Sequence, residues 1–364
     1  MMKCLGKLTL QIIAGANIAT IIVMFLVGHS DVFNPVDHPL LATVGLTFPL
    51  FLCINLAFTA FWIVFSIKRV IIPFAGFVLC YSPVRVYTPL NINGSLPPGT
   101  VKVMSYNVWN FRDWSDADKP SEIVEYILEQ NSDIVCLQES GTTKDKRDRM
   151  YSRMTAVYAY SDTVKPSGSS DVITLFSKFP ILGKKRISYE SKNNHSAAFT
   201  LNVRGDTLIF IANHLESIGL SDDEKSNFKS MMKGRMEKDS ARSESQKLVH
   251  KLGTASAVRA PQAEAVARYI RDNKGKSIIL CGDFNDSPIS YVRRVIAEEL
   301  TDCYVASGNG PGISYHESGF YVRIDNIMCS DDWKPVRCVV DSKIKASDHY
   351  PIICWLEKHG DTGK

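Results

Sequence analysis

The amino-acid sequence predicts an α/β fold, with sheet layers flanked by helices, behind a group of apolar helices at the N-terminus. Two observations support this prediction. The first 90 residues hold five Lys or Arg and two Asp or Glu, about 8% of that part, whereas residues 91–364 are about 27% charged. In the second part, short apolar runs of strand length alternate with segments whose apolar residues recur at helical spacing.

The composition excludes three classes of protein. Hydrophobic residues make up 45% of the chain, which is too many for a disordered protein. Nine cysteines among 364 residues are too few for a disulfide-dense miniprotein. The net charge of +4 does not indicate nucleic-acid binding, because +3 belongs to the first 90 residues and only +1 to the remainder.

Two uncharged apolar stretches near the N-terminus are long enough to cross a membrane. They cover residues 8–28 and 40–67, and a bilayer core requires about 20 apolar residues in a helix. A third stretch, 70–87, spans only if Arg85 extends its side chain to the interface. We expect a membrane anchor over residues 1–87 with three spans; two spans, or a cleaved signal peptide in place of the first, are the alternatives.

Positive charges around these stretches predict their orientation. Lys3 and Lys7 precede the first stretch and Lys68 and Arg69 follow the second, whereas residues 30–39 contain no Lys or Arg. The positive-inside rule places the basic ends in the cytoplasm. With three spans, everything after residue 90 then lies on the exocytoplasmic side of the membrane.

Residues 88–100 contain three Pro and two Gly without an apolar period, which is typical of a linker to a domain at 101–358. The domain begins with a predicted strand over 101–108, followed by a helix after Ser121, whose apolar residues at 123, 124, 127 and 128 share one face. Further strands are predicted over 134–137, 172–176, 197–203, 208–212, 277–280, 323–328, 336–340 and 351–355, with a hairpin at 202–207.

Two more helical patterns lie late in the chain. Residues 258–270 are rich in Ala at helical spacing. Residues 222–251 combine alternating charge with three Met residues and predict a mobile helical insertion. Two interpretations of this insertion stay open, a solvated surface helix and a lid that faces the substrate.

Carboxylate, amide and imidazole side chains recur where the apolar strands end. They are Asn107, Gln138, Glu139, Asn213, His214, Asp283, Asn285, Asp286, Asp325, Asp348 and His349. Each alone has an ordinary explanation as a cap, a turn or a surface ion pair. A carboxylate at the end of an apolar strand is costly unless it is paired or binds a cation. Their recurrence at six strand ends therefore indicates one shared polar site.

These residue types suit metal-assisted chemistry on a phosphate ester. Mg²⁺ prefers oxygen ligands, and Glu139 and Asp348 can supply two carboxylates. Attack on phosphorus also requires a positioned water, stabilised phosphoryl oxygens and help for the leaving oxygen.

The remaining polar residues can meet these requirements. Asp283 and Asn285 can orient the water. His214 and His349 can bind phosphoryl oxygens and transfer protons near neutral pH. Asp325 can fix the tautomer of a histidine.

The motifs resemble those of the endonuclease/exonuclease/phosphatase superfamily, the pancreatic deoxyribonuclease-like proteins. In chain order they are Ser105-Tyr106-Asn107-Val108, Leu137-Gln138-Glu139, Asn213-His214-Leu215, Gly282-Asp283-Phe284-Asn285, Ile324-Asp325-Asn326-Ile327 and Ser347-Asp348-His349. Arg259 and Gln262 also fit the family pattern. The resemblance covers residues 101–357 and implies a four-layer αββα sandwich of two packed β-sheets.

The resemblance also implies a metal and a phosphate site. Glu139 would be the main ligand of Mg²⁺, with Mn²⁺ as an alternative ion. Asn107 and Asp348 would lie close to the metal and to the phosphate.

The same resemblance implies catalytic roles. Asp283 would activate or orient the water, and Asn285 would support the transition state and bind substrate. His214 would contact the scissile phosphate, and Asp325 would pair with His349. Which histidine acts as acid and which as base stays open.

The leading hypothesis is a membrane-anchored, Mg²⁺-dependent hydrolase of phosphodiesters. The N-terminal spans resemble those of bacterial members, which implies a multi-pass protein of the cell membrane with a periplasmic catalytic domain. Lipid head groups, nucleotides and nucleic acid are the candidate substrates, and no obligate protein partner is indicated. A phosphomonoesterase, a nuclease and a non-catalytic membrane scaffold are the alternatives, and the near-neutral domain disfavours the nuclease.

Overall fold

The computed structural model joins a group of apolar helices to a domain of two packed sheets. It describes residues 2–116 and 118–359, with side chains from residue 7 onward; Met1, the first residue of the predicted anchor, lies outside this part. The helices are α1 (Met2–Gly28), α2 (Pro39–Thr43), α3 (Phe48–Phe65), α4 (Ile71–Leu79), α5 (Tyr81–Tyr87), α6 (Glu122–Gln130), α7 (Lys144–Met154), α8 (Asp222–Met232), α9 (Lys238–Asp272), α10 (Tyr291–Ala297) and α11 (Cys303–Ser307). The strands are β1 (Val101–Asn107), β2 (Ile134–Gln138), β3 (Tyr160–Val164), β4 (Ile173–Ser177), β5 (Ile181–Ile187), β6 (His195–Val203), β7 (Asp206–His214), β8 (Ser277–Asp283), β9 (Thr301–Asp302), β10 (Asp325–Cys329), β11 (Trp333–Val340) and β12 (Ile352–Lys358).

The N-terminal helices include two that are long and apolar enough to cross a membrane. They cover Lys7–Val32 and Pro39–Phe65, close to the first two predicted spans. The third predicted stretch is not one straight helix, because its two parts, Ile67–Leu79 and Tyr81–Tyr87, are bent by 70° relative to each other. Pro83, at the third position of α5, lacks an amide proton and suits the start of a new helix after the bend.

A small polar network joins three of these apolar helices. Trp62 Nε1 of α3 donates a hydrogen bond to Asn17 Oδ1 of α1 at 3.1 Å, and Asn17 Nδ2 donates to Asn55 Oδ1 at 3.3 Å. Asn55 Nδ2 donates in turn to the carbonyl of Pro73 in α4 at 3.0 Å. Because a buried amide without a partner is costly in an apolar environment, this network fixes how the helices pack.

Two six-stranded sheets form the rest of the chain. Their strand orders are β11-β12-β1-β2-β4-β3 and β5-β6-β7-β8-β10-β9. β1 and β2 are parallel, as are β7 and β8, and the other pairs are antiparallel. Apolar side chains from both sheets, Val103 and Phe210 among them, form one buried cluster between the layers.

Helices cover the outer face of each sheet. α6 and α7 pack on the first sheet through a cluster that includes Ile127 and Met150, and α9 and α10 pack on the second through Val266 and Ile296. The four-layer αββα sandwich implied by the resemblance is therefore confirmed. Ser121 caps α6 as predicted, since its hydroxyl accepts a hydrogen bond from the amide of Val124.

The predicted strands are all present, with ends that differ by a few residues. The largest shifts are three residues, since β8 ends at Asp283 instead of 280, β11 begins at Trp333 instead of 336, and β12 ends at Lys358 instead of 355. The strand predicted over 323–328 begins at Asp325 in β10. The hairpin at 202–207 joins β6 to β7 through a two-residue turn at Arg204 and Gly205, both with positive φ.

The helical insertion differs from its prediction. Residues 222–251 do not form a separate unit, because α8 covers only 222–232 and the later part is continuous with the predicted helix at 258–270. The two patterns form α9, a single helix of 35 residues with Pro261 inside it.

The N-terminal helices are fastened to the sheet domain. Arg294 Nε of α10 donates to the carbonyl of Asp31 at 2.9 Å, and Ile289 is buried in an apolar cluster with Met24 and Phe48. The guanidinium of Arg323 donates to the carbonyls of Val86 and, at 2.8 Å, Pro311.

The predicted linker forms neither helix nor strand over residues 89–100, yet it too contacts the domain. The amide of Asn91 donates to Asn309 Oδ1 at 2.7 Å, and the Asn91 side chain donates to the carbonyl of Gly308 at 2.6 Å. Since the Arg323 contacts hold the end of α5 as well, the sheet domain has a fixed position on the helices.

Candidate active site

Glu139 lies just after β2, at the edge of the first sheet. Its φ of 49° is left-handed, which is uncommon for a residue other than Gly and turns the chain sharply where the strand ends. Asn107 Nδ2, at the end of the neighbouring β1, donates to Glu139 Oε1 at 3.1 Å. Asn110 Nδ2 donates to the other oxygen, Oε2, at 3.2 Å. Two amides thus orient a carboxylate that is still partly exposed.

Asp283 faces Glu139 from the second sheet. Asn107 Nδ2 also lies 3.2 Å from Asp283 Oδ2, so one amide bridges both carboxylates across the sandwich. The backbone amide of Asn285 donates to Asp283 Oδ1 at 2.7 Å. Burial raises the pKa of Asp283 to about 6, and the charge of Asp325 adds to this, although His349 and His214 oppose it.

Gly282 is required by the close approach of β7 and β8 at this point. Its φ is +138°, and a Cβ atom there would lie 1.9 Å from the carbonyl oxygen of Asn213. The glycine therefore lets Asp283 sit beside His214, the residue level with it on the parallel strand.

His349 and Asp325 form a buried pair, as the resemblance implied. His349 Nδ1 lies 2.8 Å from Asp325 Oδ2, and His349 Nε2 lies 3.7 Å from Asp283 Oδ2. Asp325 is opposite Asp283 in the register of β10 and β8. Burial alone would lower the pKa of His349, but the carboxylates of Asp325 and Asp283 outweigh it and raise the pKa to about 10.

His214 forms a second pair of the same kind with a residue that the sequence analysis missed. His214 Nδ1 lies 3.0 Å from Asp171 Oδ1, and His214 Nε2 lies 3.8 Å from Asp283 Oδ2 and 3.7 Å from Glu139 Oε1. Burial would lower the pKa of His214, but the carboxylates, Asp171 foremost, raise it to about 10.

Asp171 is shared by two histidines. Its second oxygen, Oδ2, lies 3.0 Å from His195 Nδ1, and His195 Nε2 lies 3.1 Å from the carbonyl of Val164. All three side chains are almost completely buried. The sequence held a signal, because Asp171 directly precedes an apolar strand and His195 begins another. Neither residue follows the end of a strand, however, which is the pattern that indicated the site.

Asp348 occupies the remaining side of the site. Ser347 beside it donates through Oγ to the carbonyl of Asn107 at 2.8 Å, which holds this loop against the end of β1. Burial raises the pKa of the Asp348 carboxyl, as does the nearby charge of Glu139, while His349 and Lys225 lower it. A buried acid next to a second, partly exposed acid of like charge is typical of a cation site.

Arg259 and Gln262 support the site from α9. Arg259 is buried, with Nη2 at 3.0 Å from Asp286 Oδ2 and Nη1 donating to the carbonyl of Glu216 at 3.0 Å. Gln262 Oε1 accepts from the amide of Glu216 at 2.9 Å. Both side chains therefore hold the loops that follow His214 and Asp283.

Every predicted site residue is found in this one region. Glu139, Asp283, Asn285, Asp348 and His349 line a common cavity. Asn107 and His214 contact that set directly, and Asp325 lies behind His349. The side chain of Asn285 also holds the loop after His214, since its Nδ2 donates to the carbonyl of Leu215 at 3.0 Å.

The donor set fits a hard divalent cation. Glu139 and Asp348 supply carboxylate oxygens in the lining of the cavity, and oxygen donors are those that Mg²⁺ and Mn²⁺ prefer. A second arrangement with metal-ligand spacing brings together Asp283, Asp325 and His349. In that trio, however, the Asp325 carboxylate is engaged by His349 Nδ1, whereas Glu139 and Asp348 have no cationic partner in hydrogen-bond contact among the described residues.

The family model described as "Endonuclease/Exonuclease/phosphatase family" matches residues 104–349, about two thirds of the chain. The chain belongs to this family. A second model, a domain of unknown function, matches residues 10–87 and so coincides with the apolar helices. No curated protein matches the chain.

Solved structures share this fold at low sequence identity. TDP2 of D. rerio in complex with a single-strand DNA product is 15% identical, with a TM-score of 0.52, over 71% of this chain and 100% of that one. The human Nocturnin catalytic domain with bound sulfate is 17% identical, with a TM-score of 0.52, over 72% and 96%. Sphingomyelinase C from Streptomyces griseocarneus is 16% identical, with a TM-score of 0.50, over 70% and 99%. At these identities the likeness concerns the fold.

Proposed function

We propose that the protein is a membrane-anchored, Mg²⁺-dependent hydrolase that cleaves phosphodiester bonds. The observation that carries the proposal is the position of Asp283 between two imidazoles, with His214 Nε2 at 3.8 Å and His349 Nε2 at 3.7 Å. Glu139, whose Oε1 lies 3.7 Å from His214 Nε2, is on the solvent-exposed side of these three side chains. We place the attacking water and the phosphate between these four side chains.

Asp283 is the base in this proposal. Its pKa of about 6 keeps the carboxylate ionised at neutral pH, yet close enough to neutrality to accept a proton from water. The backbone amide of Asn285 holds Oδ1, so Oδ2 is the atom that faces the water. The Asn285 side chain holds the loop through Leu215, and Asn285 lines the cavity, where it would support the transition state and bind substrate.

The two histidines act as cations in this proposal. Their raised pKa values keep both imidazoles protonated at neutral pH, so that each Nε2 donates toward the phosphoryl oxygens or the leaving oxygen. Asp171 and Asp325 hold the opposite nitrogens and thereby fix both ring orientations. His214 is our candidate for the acid, because its Nε2 also lies nearest to Glu139.

Glu139, Asp348 and Asn107 would hold the ion. A bound Mg²⁺ supplies charge stabilisation to the phosphoryl oxygens. Asn107 and Asn110 orient the Glu139 carboxylate for this task, and Asn107 could ligate only if its amide turned its oxygen to the ion.

The contacts of the helices support the membrane part of the proposal. The connection between α1 and α3 and the end of α5 both contact the sheet domain. If α1 and α3 cross a bilayer in opposite directions, the chain must cross a third time, through the bent pair α4–α5, to reach that same side. With Lys68 and Arg69 in the cytoplasm, the catalytic domain lies outside it.

The test uses the full chain in detergent with bis(p-nitrophenyl) phosphate and p-nitrophenyl phosphate as substrates. We expect the diester to be hydrolysed with Mg²⁺ or Mn²⁺, and the activity to disappear with EDTA. Glu139→Ala and His349→Ala should each abolish it. Preferential hydrolysis of the monoester would favour the phosphomonoesterase, and unchanged rates in both variants would show that the site assignment is wrong.

A further inference from the structure

The cavity above the catalytic residues has a mixed lining. It encloses about 220 Å³. Carboxylates and His349 form its polar floor. Five apolar residues, which we call the apolar wall, line it together with polar residues such as Ser256; they are Leu46, Ile218, Leu220, Leu252 and Phe320. A polar floor beside an apolar wall is complementary to a molecule that carries a phosphate at one end and hydrocarbon at the other.

Part of the wall comes from the apolar helices themselves. Thr43 and Leu46 lie in the connection between α1 and α3, two to five residues before α3 begins. Gly45 fixes this connection, because a Cβ atom there would lie 2.3 Å from the carbonyl oxygen of Ile289. The cavity is therefore beside the end of a helix that is apolar enough to cross a membrane.

The surface around this part of the wall is also apolar. Leu40 is 57% exposed, Leu41 44% and Leu46 39%. Leucines exposed together next to a membrane-spanning helix are suited to contact with lipid. The apolar wall is thus continuous with a surface that a bilayer would cover.

The opposite wall belongs to the helical insertion. The ring of Phe228 in α8 stacks on Phe320, with centroids 3.9 Å apart, and so holds α8 beside the cavity. Lys225 of the same helix lines the cavity, and its charge acts on Asp348. The insertion therefore adds a cation at the polar end, where a phosphate would lie.

We propose that the substrate is a phosphodiester of a membrane lipid, which enters from the bilayer between Leu46 and Leu252. Its phosphate lies over Glu139 and Asp348, and its apolar end lies along the leucine wall. Water attacks phosphorus, one P–O ester bond breaks, and the leaving oxygen takes a proton, so the products are a phosphomonoester and an alcohol. This inference rests on the proposed function, because both concern the same site.

Charge and shape disfavour a nucleic acid in this cavity. Residues 91–364 carry a net charge of +1, and a polyanion requires a basic surface along its backbone. The wall leading to the phosphate position is formed by apolar side chains, those of Leu46, Ile218, Leu220, Leu252 and Phe320, and does not supply such a basic surface.

The experiment compares three substrates on the full chain with Mg²⁺. They are phosphatidylglycerol in mixed micelles with phosphatidylcholine and a non-ionic detergent, water-soluble bis(p-nitrophenyl) phosphate, and single-stranded DNA. Leu252→Glu places a carboxylate in the apolar wall. We expect it to lower the ratio of lipid to diester hydrolysis at least about tenfold, because a charge in the apolar wall opposes the hydrocarbon. Val249→Glu, at a 42% exposed position of α9 outside the cavity, is the matched control and should leave the ratio unchanged.

The outcomes separate this inference from the proposed function. Diester hydrolysis without lipid hydrolysis, a faster reaction on single-stranded DNA than on lipid, or an unchanged ratio in Leu252→Glu would each overturn the lipid inference alone. Failure to hydrolyse any of the three substrates would overturn the proposed function. If circular dichroism shows that Leu252→Glu does not fold, Leu220→Gln is judged by the same ratio.

Discussion

Replacement of Asp171 by Asn tests the part of the site that is least evident from the sequence. The carboxylate lies 3.0 Å from His214 Nδ1 and is the foremost of three that raise the pKa of His214. The rise from about 6.5 to about 10 corresponds to a free energy on the order of 5 kcal/mol. If Asp171 supplies about half of it, about 2.4 kcal/mol, its loss moves the pKa of His214 down by nearly two pH units, so kcat should fall about tenfold at pH 9 and change little at pH 7.

The assay is the pH dependence of diester hydrolysis by the full chain. A raised pKa means that His214 keeps its proton as the pH rises, so a rate that needs protonated His214 falls only at alkaline pH. Without the Asp171 carboxylate this pKa falls, and the alkaline decline in kcat should move to lower pH. KM should change less than kcat, because the substrate contacts remain.

Asp206→Asn is the control for this variant. Asp206 is exposed and paired with Lys358 at the far end of β7, so the rate should stay within twofold of wild type. A variant Asp171→Asn that keeps the pH profile of wild type and a kcat within threefold of it, but has a lower thermal midpoint, would refute this role. Asp171 would then contribute to packing and not to the pKa of His214.

Three further predictions concern the metal, the glycine and a buried ion pair. Mg²⁺ should raise the thermal midpoint of wild type, and this rise should vanish in Glu139→Gln, whereas an equal rise in the variant would exclude Glu139 as a ligand. Gly282→Ala should abolish activity, because its Cβ would lie 1.9 Å from the Asn213 carbonyl; a variant as active and as thermostable as wild type would contradict this. Asp302→Asn should destabilise the protein by about 3–5 kcal/mol at pH 7, because Arg293 Nη2 lies 2.7 Å from its carboxylate. Burial raises the pKa of Asp302, but the charge of Arg293 lowers it by more than burial raises it. The stabilisation by the ion pair is therefore present above about pH 4 and is lost on acidification. Thermal unfolding of wild type and variant from pH 7 to 3 should show that the difference between their stabilities shrinks.

The sequence predicted the central strands and most of the site for one physical reason. Strands buried on both faces are apolar throughout, and the polar residues that interrupt them at the sheet edge are conspicuous. β2 and β8 show this pattern, with Glu139 after the first and Asp283 at the end of the second.

The strands that were missed lie at sheet edges. β5 exposes most of its residues, including Lys184 and Lys185, so its sequence has no apolar run. β3 and β9 are also edge strands in the two sheets. Their positions depend on pairing with a neighbour, which a single strand sequence does not encode.

Asp171 and the long helix escaped prediction for tertiary reasons. Asp171 precedes β4 in a loop, and only the packing of the two sheets brings it to His214 and His195. The charged part of α9 has few buried residues before Gly253, so its pattern differs from that of the Ala-rich part although the helix is continuous.

The contacts that fix the position of the sheet domain on the helices have a kinetic consequence. Arg323 holds the end of α5, and Asn91 fastens the connecting segment, so the domain has little freedom to swing away. If the chain is anchored in a bilayer and acts on a lipid, as proposed, the enzyme searches a plane at constant height instead of a volume. Its rate should then follow the mole fraction of substrate in the surface, and dilution by inert lipid should slow it even when the total amount of substrate in the sample is unchanged.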